Sequence, residues 1–116
     1  QLGEAGQLLL KSKSVLISRI GGVGGSVALP LVAAGIGRLI LAHGGTVRLD
    51  DLNRQILMTT PSIGKPRVNS AREQLQALNP AVVLETVAEN ITEQNVGRLV
   101  AACDIVVIAA PLFAER

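Results

Sequence analysis

Ser14-Val15-Leu16-Ile17-Ser18-Arg19-Ile20-Gly21-Gly22-Val23-Gly24-Gly25 passes from an unbroken apolar run into a cluster of four glycines. A short continuous aliphatic run bounded by Ser and Gly suits a strand covered on both faces. Glycines directly after such a strand let the backbone turn tightly. They also bring its N–H groups, with the dipole of the next helix, against a phosphate. Val23, Val27, Leu31 and Ala34 then recur at helical spacing, with Gly35 as a stop. Pro30 falls inside this helix and should remove one backbone hydrogen bond and bend it. Leu39-Ile40-Leu41-Ala42 is the second strand, so residues 15–42 read as one right-handed strand–helix–strand unit.

Downstream, Asp50 to Leu57 reads as a short helical turn, followed by a Thr/Pro/Ser/Gly loop to Gly64. Pro66 opens a helix that runs to about Leu78, and Asn79-Pro80 ends it. Ala81 to Val87 is a third strand. Thr92 is placed to cap a helix with Val96, Leu99 and Val100 inward, and Asp104 to Ala110 is a fourth strand. Strands alternating with helical patterns predict a parallel sheet with crossover helices. No internal repeat, linker or low-complexity tract interrupts the chain, so residues 1–116 read as one domain.

Composition excludes several function classes. Charged residues are 17% of the chain against a usual value of about 25%, and hydrophobic residues are 48%, so the chain is not a disordered segment. Phe113 is the sole aromatic residue, which argues against a base-stacking platform for single-stranded nucleic acid. The single Cys103 cannot build a disulfide framework or a thiolate zinc site and points to a reducing compartment. It reads as a small buried hydrophobe rather than a nucleophile, because no basic residue adjoins it in sequence. Residues 20–37 carry no charge, yet six of them are glycine, so this stretch is read as a loop and a buried helix rather than a membrane span. No basic leader with a cleavage site precedes it, and the expected location is the cytoplasm. Residues 1–72 hold nine Lys/Arg against three acids, and residues 73–116 hold two against six, so an anion belongs with the front two-thirds. Scattered single cations without a base-reading motif do not predict a nucleic-acid partner.

The dinucleotide fingerprint wants G-x-G-x-x-G at the first strand–helix turn. Over Arg19 to Gly24 the first glycine position is Arg19, and only the second and third, Gly21 and Gly24, remain. The bare motif serves a phosphate cradle and close strand-to-helix packing equally well.

Six blocks carry more information together. They are residues 1–7, residues 15–24, Ala33-Ala34-Gly35-Ile36-Gly37, Leu52-Asn53-Arg54-Gln55-Ile56-Leu57, Ile63-Gly64-Lys65-Pro66-Arg67-Val68 and Ala77-Leu78-Asn79-Pro80. In this order and spacing the chain resembles the ThiF/MoeB/HesA family, the bacterial relatives of ubiquitin-activating enzymes. The resemblance implies an α/β Rossmann-like three-layer domain with a mainly parallel sheet in strand order 3-2-1-4. It also implies an ATP-dependent adenylyltransferase that uses ATP and Mg, a ubiquitin-like sulfur-carrier protein as partner, and a homodimer. In such an enzyme the carrier's C-terminal carboxylate attacks the α-phosphate and pyrophosphate leaves. Carried over by position, Gly21, Gly22 and Gly24 line the nucleotide loop, and Arg54 and Gln55 match the pair that contacts the phosphates. Arg67 stands where the family has a phosphate-binding lysine, with Lys65 two residues earlier as a substitute.

Several positions depart from the family pattern. His43 stands where the family has an aspartate for the ribose hydroxyls, and Gly44-Gly45 follow in place of another acid. His43 therefore reads either as a polar cap at a strand end or as a partner for a ribose or a 2′-phosphate. Asp51 replaces an asparagine, and Ile108, Ala110, Pro111 and Leu112 replace the polar residues at the end of the fourth strand, including the acid that serves magnesium-ATP. The chain is accordingly read as the nucleotide-binding half of such an adenylyltransferase, expected to be a fragment of a longer protein, or as a degenerate relative. The alternatives are a non-catalytic scaffold or dimerisation module and an NAD(P)-linked oxidoreductase domain. No metal ligands and no catalytic residue are assigned.

Overall fold

The computed structural model describes residues 3–20, 22–48 and 57–108. In chain order its elements are helix α1 (Gly3–Lys11), strand β1 (Ser14–Ser18), helix α2 (Gly22–Ala34), strand β2 (Arg38–Ala42), helix α3 (Arg67–Leu78), strand β3 (Val83–Val87), helix α4 (Val96–Ala101) and strand β4 (Ile105–Ile108). A single 3-10 turn, Thr60–Ser62, precedes α3.

The strands form one sheet in the order β3-β2-β1-β4. All three pairings are parallel, with Leu16 opposite both Ile40 and Val106, and Ile40 opposite Glu85. This is the order expected from the sequence. It follows from two successive crossovers on one face and a third on the other, which bring β4 back beside β1.

Alternation along each strand divides the core in two. Val15, Ile17, Leu39 and Leu41 face α2 and α3, where they pack with Ala28, Val32, Val68, Ala71 and Leu75. Leu16, Ile40 and Ala42 face the other way, against Ile91 and Leu99. Val15, Leu16, Ile17 and Ser18 of central β1 are all buried, whereas β4 at one edge leaves Ile105 and Ile108 about half exposed. Arg38 and Glu85, paired across β2 and β3, form a two-pronged ion pair with both N···O distances at 2.7 Å. This bond holds the Arg38 charge on and draws the Glu85 carboxyl below its usual range. Both side chains are partly exposed, so solvent screens the pair and it adds little to stability.

Three expectations are corrected in detail. The inward side of α2 is Ala28 and Val32, while Val27 and Leu31 are only partly buried and Ala34 is exposed. A helix that is apolar almost all round gives little sequence signal about which stripe faces the sheet. Asn95, not Thr92, holds the cap position of α4. Its side chain folds back, accepting the Thr92 N–H at 2.8 Å and donating to the Asn90 carbonyl at 3.1 Å, so the turn closes first and the helix starts after it. Val96 and Val100 remain well exposed, and Leu99 alone is buried, because α4 has only six residues. The expected helical turn over residues 50–57 falls mostly outside the described residues, as does the end of the fourth strand beyond Ile108.

Candidate functional site

In an open α/β sheet, ligands bind beyond the carboxyl ends of the strands, where the winding direction reverses. In this order of strands the reversal lies at β1, flanked by β2 on one side and β4 on the other. The chain leaving β1 at Ser18 therefore enters the place where a ligand would sit.

Arg19 has a φ of +69°, the left-handed conformation that the first glycine of a dinucleotide turn usually supplies. For an arginine that conformation costs roughly 1–2 kcal/mol. It is held by the Arg19 N–H, which donates to the Ala42 carbonyl at 2.7 Å. The turn then closes so tightly that a Cβ on Gly24 would stand 1.9 Å from the Arg19 carbonyl oxygen and 3.2 Å from Ile17 Cγ2. Gly24 therefore serves the approach of α2 to β1, the packing role that the motif left open beside phosphate cradling.

The end of β2 is fastened to this turn. His43 is buried, and its Nδ1 accepts the Ile20 N–H at 3.1 Å. Its own N–H donates to the Val87 carbonyl at 3.1 Å, and the next amide, Gly44, donates to Asn90 Oδ1 at 2.9 Å. Gly45 has a φ of +80°, and its Cα hydrogens face the Arg67 guanidinium: a Cβ there would lie 2.7 Å from Nη1. Arg67 Nη1 donates to the Gly44 carbonyl at 3.2 Å, and the Arg67 N–H to the Gly45 carbonyl at 3.1 Å. Bridges between Thr46 and Pro66 and between Val47 and Ile63 zip this segment to the loop before α3.

Of the residues assigned from sequence, Gly22, Gly24, His43 and Arg67 thus converge at the carboxyl ends of β1 and β2. Lys65 stands beside them on the bridged loop, where its carbonyl accepts the Val47 N–H at 2.8 Å and its side chain is exposed. Gly21, Arg54, Gln55, Asp51, Ala110, Pro111 and Leu112 lie outside the described residues. Of the two readings of His43, the polar cap has a partner in the Ile20 amide. The bonds made by Asn90 and by the Ile20 amide were not foreseen, since each joins residues more than twenty apart in sequence.

Cys103 is half-buried, and its Sγ lies 3.4 Å from the Val100 carbonyl. Burial pushes the thiol up, away from the reactive thiolate. Among the described residues no three His, Cys, Asp or Glu side chains cluster to hold a metal, and no helix is long and apolar enough to cross a membrane. A concavity of about 350 Å³ bordered by Lys11, Gly37, Asn79 and Val83 lies at the opposite, amino ends of the strands, away from the glycine turn.

The ThiF family model matches residues 1–115. Protein HesA of Nostoc sp. is 53% identical over 114 residues, which cover 98% of this chain and 45% of that protein. The sulfur carrier protein ThiS adenylyltransferase of Escherichia coli is 37% identical over 111 residues, covering 96% of this chain and 44% of that protein. Among solved structures, the E. coli tRNA N6-threonylcarbamoyladenosine dehydratase TcdA in complex with ATP superposes with a TM-score of 0.92 at 25% identity, covering 97% of this chain and 47% of that one. The chain spans less than half the length of these relatives.

Proposed function

The chain belongs to the ThiF family, and from that premise we propose that residues 1–116 are the nucleotide-binding half of an ATP-dependent adenylyltransferase acting on the C-terminal glycine of a ubiquitin-like sulfur carrier. The observation that carries this reading is the turn after β1. Left-handed Arg19 and the close approach at Gly24 set the start of α2 directly after β1, and Arg67 donates to the Gly44 carbonyl just beyond β2, the neighbouring strand. Amides at a helix start and a guanidinium are both suited to phosphate oxygens.

The chemistry is a displacement at phosphorus. A carboxylate oxygen of the carrier bonds to the α-phosphorus, the bond to the bridging oxygen breaks, and pyrophosphate departs with that electron pair. The chain's part is to position the triphosphate and to offset its charge. Arg67, with Arg54 and Lys65 as family-implied companions, supplies positive charge and Gln55 a neutral hydrogen-bond donor, while Gly24 keeps the turn narrow. Magnesium would neutralise the leaving pyrophosphate. The described residues offer no carboxylate cluster for it, so no step is assigned to the metal. A cytoplasmic homodimer, with its further segments lying outside residues 1–116, completes the proposal.

The matching test is carrier-dependent exchange of labelled pyrophosphate into ATP by the full-length protein. Exchange that requires the carrier's terminal glycine supports adenylation. Nucleotide binding without exchange leaves a nucleotide-binding module, and neither property leaves a scaffold. One observation favours that last reading: the end of β2 presents a buried imidazole and two glycines where a carboxylate would grip the ribose.

A further inference from the structure

We propose that His43 is a positioning residue that holds the glycine turn through a neutral imidazole, so that protonation of His43 loosens the turn and weakens phosphate binding there. The affinity part of this proposal rests on the nucleotide reading above; the structural part does not.

The Ile20 N–H is the last described amide before Gly21, and α2 begins at Gly22. Ile20 is fully buried, so water cannot replace a lost acceptor. That acceptor is His43 Nδ1, at 3.1 Å. An imidazole nitrogen accepts a hydrogen bond only while it carries no proton, so this geometry requires the neutral ring with its hydrogen on Nε2. Protonation of Nδ1 would set one N–H against another in a buried space.

The backbone that carries the ring is held at the end of the sheet. His43 is tied to Val87 through its own N–H, and the following amide is tied to Asn90. Relief of that opposition requires the imidazole to rotate away from Ile20 or the turn that leads into α2 to shift, and either movement loses the bond at Ile20. The charged groups on the elements around His43 are Arg19 after β1, Arg48 after the bridged segment, Arg67 at the start of α3 and Glu89 after β3. Arg67 reaches the Gly44 carbonyl next to His43, and Glu89 Oε2 accepts from Asn95 Nδ2 at 3.3 Å.

His43 is the chain's only histidine, so its imidazole signals are unambiguous. The experiment is an NMR pH titration of the imidazole and of the Ile20 amide, with magnesium-ATP affinity measured across the same range. Parent, His43→Asn and His43→Ala are compared. Asparagine Oδ1 takes the place of Nδ1 as an acceptor and does not titrate, so the ratio of parent to His43→Asn cancels the titration of the nucleotide itself.

The expected result is that the Ile20 amide shifts in step with the imidazole. Parent affinity should fall about tenfold relative to His43→Asn across that step, and His43→Ala should be about tenfold weaker than the parent above it. An Ile20 amide indifferent to the imidazole, or the same pH dependence in His43→Asn as in the parent, overturns the proposal. No binding by any variant at any pH overturns the nucleotide reading and the affinity part with it, while the amide titration still decides whether His43 holds the turn.

Discussion

Replacing Gly24 with alanine tests the packing of the glycine turn through a single methyl group. The new Cβ would stand 1.9 Å from the Arg19 carbonyl oxygen and 2.9 Å from its carbon. Ordinary heavy-atom contacts lie at about 3.5 Å or more, so the helix must withdraw by roughly 1.5 Å. The obstacle is backbone in a strained residue whose N–H is bonded to Ala42, and it cannot rotate away as a side-chain end could. Overpacking typically costs about 1–3 kcal/mol, and a backbone clash belongs at the top of that range. For a chain of this size a loss of about 3 kcal/mol lowers Tm by roughly 10 °C. Gly97→Ala is the internal control. Gly97 sits inside α4 with open space around its Cβ direction, so alanine there should add about 0.5–1 kcal/mol. Urea unfolding of parent and both variants provides the comparison. A Gly24→Ala protein within about 0.5 kcal/mol of the parent would refute the close approach, because surface changes alone fall in that band.

Arg19→Gly should leave stability unchanged or raise it by up to about 1 kcal/mol in urea unfolding, since glycine adopts the left-handed conformation without the Cβ penalty. Arg19→Val should lower stability by about 1–3 kcal/mol, because a branched side chain suits that conformation worst. Asp104 accepts the Ser14 N–H at 2.9 Å, and that bond holds its carboxyl below the usual range. A carboxyl lowered in the folded state contributes stability above its unfolded value and loses it as pH falls through its folded value. Urea midpoints followed from about pH 6 to about pH 3 should therefore decline, and less steeply in Asp104→Asn. Glu85 keeps part of the slope, so the decline is reduced rather than abolished.

The sheet was legible because its signals are local. The apolar runs at Val15 and Leu39 and the Pro66 and Asn79 boundaries of α3 each announce themselves within a few residues, and the rule for parallel crossovers supplies the order. Helix α1 gave no such signal: none of its residues is buried, and its fastening, Gln7 Nε2 on the Ala34 carbonyl at 2.8 Å, joins residues far apart in sequence. The candidate site divides the same way. Glycines after a strand could be read directly, but Arg19 doing the work of a glycine could not, because a strained residue contradicts its own propensity. The bond from Ile20 to His43 and the cap of Asn90 on Gly44 exist only after the sheet has brought three strand ends together.

The proposed function requires a phosphate site at the carboxyl ends of β1 and β2 in which Arg67 takes part. Calorimetric titration of the parent and of Arg67→Gln with magnesium-ATP measures it most directly. The prediction is saturable binding by the parent, weaker than micromolar because no carboxylate at the end of β2 grips the ribose, and a further loss of at least about tenfold in Arg67→Gln from the missing charge-assisted contact. Equal titrations for parent and variant, or no binding by the parent at millimolar nucleotide, would contradict it.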